Sequence, residues 1–226
     1  MATLTKAVLG KVSGALGDVT FRQRNGRNYL ATRPSNFTPA IDLPSIARRN
    51  QFAFDCKLSA GINSMPHLKT LWSAGLTDGR SVYNTIIRKN YKFVAADSIT
   101  ELTHLSPGIG FRVTTSQSEV GTEGITVVIN PVGSNSHVDT VLEKSVELAA
   151  IVSLCDPIDN TVEGYAILPL VSQAQQMTVD AALSFAIPFS SQEMQLFQKY
   201  RVVKTMYALV TMDVNGAPVH YSSTFR

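Results

Sequence analysis

The chain is short of most of what marks a reactive or membrane-borne protein. It has two cysteines, Cys56 and Cys155, in 226 residues. They lie far apart and form no paired spacing, so no disulfide framework is expected but two buried free thiols, with a single long-range disulfide as the alternative. The four histidines, His67, His104, His137 and His220, show no H-x-x-x-H spacing, which argues against a preformed zinc site. Charged residues make up 16%, below the roughly 25% of an average domain, and a surface so poor in charge implies that a partner covers part of it. No apolar run approaches the roughly 18 residues that a spanning helix needs. The richest run, residues 145–155, has the length of a strand and contains Glu147. The opening MATLTKAVLGKVSGALGDV is interrupted by Lys11 and has no signal-type core, so cytoplasmic synthesis without membrane insertion is expected.

Signatures of bound phosphate or of acyl transfer are missing too: there is no Walker A sequence, no G-x-G-x-x-G after a strand and no G-x-S-x-G elbow. Gly108-Ile109-Gly110 follows Pro107 and leads into an extended run, which reads as a turn. The best acidic constellation, Asp156, Asp159, Asn160 and Glu163, could offer oxygen ligands to calcium. It lacks the EF-hand order, and Asp-Pro and Asp-Asn are ordinary turn formers. Asn36-Phe37-Thr38 matches a glycosylation acceptor without a secretory context to give it meaning. No cofactor, metal or catalytic residue is expected.

What is present is an ample apolar content, 44%, and a lopsided charge. Residues 1–92 hold fourteen Lys and Arg against four acids, a net +10, and the remainder holds six against thirteen, a net −7. Such polarity suits copies that dock a basic part onto an acidic part. The strongest local signal is GDVTFRQRNGRNYLATRP, where Asn25-Gly26 separates two alternating runs and fits the type I′ turn of a hairpin. That register pairs Arg24 with Arg27 and Phe21 with Leu30. Val19, Phe21 and Leu30 then share one face, and Arg22, Arg24, Arg27, Tyr29 and Arg33 share the other. The basic face can be solvated, can meet an acidic protein surface, or can bind nucleic acid by phosphate contacts and stacking. The glycine-punctuated segment before it reads as an extended arm.

Periodicity predicts three helices. The first starts after an Asp42 cap and carries Ile46, Phe54, Leu58 and Ile62; the second runs from Met65-Pro66 to Gly75; the third is capped by Asp78 and carries Val82, Ile86 and Tyr91. From about residue 97 short β-branched runs follow: 109–115, 124–130, 145–154, 161–171, 178–187, 204–213, and 218–225 after Asn215-Gly216. The expected class is α+β, with an N-terminal β-hairpin and short helices followed by an antiparallel β-sandwich, Ig-like or Greek-key. Residues 1–96 are expected to form an arm, basic hairpin and helical region, and residues 97–226 the β-sandwich domain.

Ser13-Gly14-x-x-Gly17-Asp18-Val19, Arg24-Asn25-Gly26-Arg27, Arg33-Pro34-Ser35, Ala47-Arg48-Arg49-x-x-Phe52 and the closing Asn215-Gly216 with Ser222, Ser223 and Phe225 resemble an uncharacterised family of Bacteroidota and their phages. The motifs span about a third of the chain, and the middle of the β-region departs from the pattern. The resemblance implies no catalytic residue and a phage or phage-like setting. With the charge split, it leads to the expectation of a non-enzymatic subunit of a multi-copy particle, incorporated in a virion or phage-like particle. Its partners would be copies of itself and other particle proteins, through Arg22, Arg24, Arg27 and Arg33, with nucleic acid a lesser expectation. A β-sandwich module binding carbohydrate or another surface ligand through its loops is the alternative.

Overall fold

The computed structural model describes residues 14–24, 27–32, 38–76, 79–133 and 136–226. The chain is mixed α+β, mostly β, with three antiparallel sheets and four helices among the described residues. It divides into two compact units, Met1–Ile46 and Ala47–Arg226.

The first unit is a three-stranded sheet, β1 (Gly14–Leu16), β2 (Val19–Arg24) and β3 (Arg27–Thr32), in the order β1-β2-β3. The β2–β3 register is the expected one, Arg24 opposite Arg27, Phe21 opposite Leu30 and Val19 opposite Thr32. The end of the expected arm is itself a strand. Gly14 pairs with Phe21 and Leu16 with Val19, and the turn between them places Gly17 at φ +56°, a conformation that favours glycine.

In the second unit α1 (Leu43–Ser64) begins at the cap the sequence predicted, where Asp42 Oδ2 accepts from the Ser45 N–H at 3.0 Å. Its first residues lie on the other side of the division. Phe54, Leu58 and Ile62 recur every four residues, and all are buried. Pro66 opens α2 (Pro66–Ala74) at a position that needs no N–H. α3 (Val82–Asn90) is capped by Ser81, whose hydroxyl accepts from the Asn84 N–H at 3.2 Å; the expected cap, Asp78, lies outside the described residues. A 3-10 turn, Tyr91–Phe93, follows directly.

The strands are β4 (Thr115–Val120), β5 (Gly124–Ile129), β6 (Ser145–Pro157), β7 (Tyr165–Val171), β8 (Gln175–Gln176), β9 (Leu183–Pro188), β10 (Tyr200–Met212) and β11 (Pro218–Tyr221). A central sheet runs β11-β10-β6-β7, with β8 also on β6, and a smaller sheet runs β4-β5-β9. Side chains of β6 and β10 alternate between two apolar clusters. Ala149, Ile151, Met206, Ala208 and Val210 meet the helices through Phe54, Leu58, Trp72 and Ile86. Leu148, Val152, Leu154, Tyr207 and Leu209 meet the smaller sheet through Ile125, Val127, Phe185 and Ile187. The central strands are therefore covered on both faces, and this is why residues 145–155 read as a nearly continuous apolar run.

Three expectations need revision. The boundary near residue 96 falls inside the second unit, because the three helices share an apolar cluster with the central sheet. The charge contrast moves with it: Met1–Ile46 holds six Lys and Arg against two acids, +4, and Ala47–Arg226 fourteen against fifteen, −1. Most of the polarity thus lies within the second unit, between its helical layer and its strands. Of the expected run 109–115, residues 109–114 form no ladder strand, and Thr115 opens β4. Phe111 makes one isolated parallel bridge, its N–H donating to Tyr221 O at 3.2 Å while its carbonyl accepts from the Ser223 N–H at 2.9 Å. A fourth helix, α4 (Ser191–Phe197), escaped the sequence reading although Ser190 and Glu193 close a full capping box before it.

Candidate functional site

The basic hairpin is the group that the sequence singled out. Arg22 is exposed on β2 and stands opposite half-buried Tyr29, so these two share the face assigned to them. Arg24 and Arg27 are paired at the end of the ladder. Asn25, Gly26 and Arg33 lie outside the described residues. On the apolar face Val19 and Phe21 are only half-buried, and Leu30 remains 38% exposed. Leu16 on β1 is 73% exposed. No residue of this unit whose side chain is described is buried.

The acidic loop does not gather around a cation. Asp159 is spent on its own turn, Oδ1 accepting from the Thr161 N–H at 2.9 Å. Asp156 faces Arg201 at 3.5 Å and Glu163 pairs with Lys57 across the layer. Among the described residues no three His, Cys, Asp or Glu side chains are placed to hold a metal ion. Cys56 and Cys155 are free thiols; Cys155 is buried as expected, which pushes its thiol upward, whereas Cys56 is only half-buried. A groove of about 590 Å³ between residues 171–175 and 184–188 is lined without a charged side chain, and its one aromatic residue, Phe185, is buried in the core.

Buried polar groups that the sequence reading missed cluster on the central sheet. Glu143, 1% exposed, accepts from the Asp139 N–H at 2.8 Å through Oε1 and from the Thr211 hydroxyl through Oε2. His220 Nδ1 lies 3.0 Å from the same Oε1. The imidazole is thereby held by a carboxylate while its outer edge stays in solvent. That is the orienting half of a general-base arrangement, but the adjacent hydroxyl, Thr211 Oγ1, is itself committed to Glu143. The assembly as it stands braces the turn before β6 against β10 and β11. A second pair joins the layers, with His67 Nδ1 on α2 2.7 Å from Glu147 Oε1 on β6. Glu147 was the one signal legible beforehand, a lone acid inside an apolar run.

The most perturbed carboxyl belongs to Asp55 on the core face of α1. It is wholly buried; Ser59 Oγ approaches Oδ1 at 3.4 Å and Oδ2 has no hydrogen-bond partner among the described residues. Burial pushes its pKa up to about 7, with the Ser59 contact opposing. On the same layer Tyr83 donates to the Cys56 carbonyl at 3.3 Å; its side-chain interaction with the Cys56 thiol, and then burial, push its phenol up to about 12. His104, edge-on to Phe93, is shifted down by burial and by nearby Lys89 and Arg226. No helix among the described residues is long and apolar enough to cross a membrane.

Compared with known proteins, the chain matches no protein-family model and no curated protein.

Proposed function

We propose that the protein is a non-enzymatic structural subunit of a multi-copy particle, set in a phage virion or phage-like assembly. In this reading the first unit is the docking element, contacting further copies and other particle proteins. The observation that carries it is a three-stranded sheet with no buried side chain of its own among those described. So small a sheet needs an apolar surface to lie on, and Leu16 and Leu30 are left exposed for one. Arg22, Arg24, Arg27 and Arg33 would fix the register of docking on an acidic surface. The second unit is read as the particle-forming body, a sandwich of Greek-key or Ig-like type. Support comes from the apolar cluster its two sheets share and from the chain crossing between them after β5, β8 and β9. The phage setting draws on the motif resemblance alone.

Changing Arg22, Arg24 and Arg27 together to Glu moves the first unit by six charge units, from +4 to −2. The triple variant should keep the wild-type circular dichroism and sediment as a monomer where the wild type self-associates. Raising salt from about 0.1 M to about 1 M should dissociate the wild type in the same way, as the Debye length falls from about 10 Å to about 3 Å. A wild-type chain that stays monomeric at high concentration and low salt, and binds no partner particle protein, would overturn the reading.

A further inference from the structure

The helical layer carries a feature that docking through the first unit does not use. Between residues 47 and 96 the chain has eight Lys and Arg, and its two acids are Asp55, which is buried, and Asp78, outside the described residues. The next acid in sequence, Asp97, lies within electrostatic reach of Cys155 on β6. Half of these cations are drawn to one place. Gln51 Nε2 donates to the carbonyls of Tyr91 and Val94 at 2.9 and 2.8 Å, which ties the third turn of α1 to the turn after α3. Phe52 meets Tyr91 edge-on, with centroids 6.2 Å apart, and is 51% exposed. Arg48 and Arg49 precede Phe52 by one helical turn, and Arg88 and Lys92 flank Tyr91; all four are exposed. An accessible ring is thus framed by four cations, with no acid in either segment.

We propose that this patch binds single-stranded nucleic acid, with Arg48, Arg49, Arg88 and Lys92 on the phosphates and a base stacked on Phe52. Charge alone would serve any polyanion. The exposed ring, held in place by Tyr91 and by the Gln51 clamp behind it, is what favours a strand with unpaired bases over a duplex or an acidic protein surface. A stack on one ring carries no sequence readout, so binding is sequence-tolerant.

The test is fluorescence anisotropy of the full-length chain with a labelled oligothymidylate of about 20 nucleotides, titrated with salt. Four phosphate contacts give a slope of log K against log salt of about −3. Arg88→Ala with Lys92→Ala should flatten that slope by about 1.4. Phe52→Ala should weaken binding about tenfold at unchanged slope, and Phe52→Trp should restore it. Thermal melts of each variant show that the fold persists; should Phe52→Ala unfold, the slope of the double variant still decides. No binding at about 50 mM salt, or binding that ignores both patch variants, overturns the proposal. Loss of binding in the Arg22, Arg24, Arg27 triple variant alone moves the site to the hairpin. Heparin binding as tightly as the oligonucleotide, with Phe52→Ala silent, would make the patch a dock for acidic partners instead.

Discussion

Replacing Asp55 by Asn should change how the stability of the second unit depends on pH. The side chain sits on the buried face of α1 between Phe54 and Leu58, with one long hydrogen bond from Ser59 and an unpartnered Oδ2. Burial raises its pKa from 3.8 to about 7, so the folded chain holds the proton more tightly than the unfolded chain. Stability from this group is fully present below about pH 3.8, falls as pH rises, and is lost once the pH passes about 7. Roughly three units at 1.36 kcal/mol each amount to about 4 kcal/mol, a large part of the 5–15 kcal/mol by which domains are stable. Asn is neutral throughout. The variant should match the wild type to within about 1 kcal/mol at pH 4 and exceed it by about 4 kcal/mol at pH 8, by urea unfolding at each pH. Distant titrating groups contribute equally to both proteins and drop out of the difference. A difference that stays constant from pH 4 to pH 8 would refute the reasoning.

Substitutions at two further positions probe the central sheet. Glu143→Ala strips the acceptor from the Thr211 hydroxyl and the Asp139 N–H and should cost about 2–4 kcal/mol, while Glu143→Gln, which keeps a carbonyl oxygen, should cost less. Equal thermal unfolding of the two would show that the network is not what matters. Gly110→Ala would set a Cβ 2.0 Å from the Tyr221 carbonyl oxygen and should lower stability by about 2–4 kcal/mol through forced backbone movement; an unchanged melting temperature would mean that the chain does not pass there.

The sequence was most informative where a local rule sufficed. Asn25-Gly26 with its alternating flanks gave the β2–β3 register, and Asp42 with the four-residue period of Phe54, Leu58 and Ile62 gave the start and buried face of α1. It failed where partners lie far along the chain. The run 109–115 has the texture of a strand, but Phe111 at its heart is claimed by the backbone of Tyr221 and Ser223 more than a hundred residues on, and only its last residue, Thr115, joins a ladder. The boundary near 96 rested on a change of texture, and texture does not report that α1–α3 and β6 fill one cluster. Arg22 and Tyr29 could be assigned to one face because a two-residue period links them. The Phe52 patch could not, since contacts between distant segments, the Gln51 clamp and the Phe52–Tyr91 pair among them, bring residues 48–52 beside 88–92.

The two-sided burial of β6 also sets an order of events. One edge of this thirteen-residue strand can zip quickly to β7, its near neighbour in sequence, but the other edge pairs with residues 43 to 67 positions away on β10. Loop closure of that length slows folding. In the interval the chain presents an unpaired edge of Val, Leu, Ala and Ile, the composition that pairs readily with a like strand from another molecule. A strand that ends buried on both faces is thus open to error while the protein forms, and crowded, rapid synthesis is the condition under which that hazard is greatest.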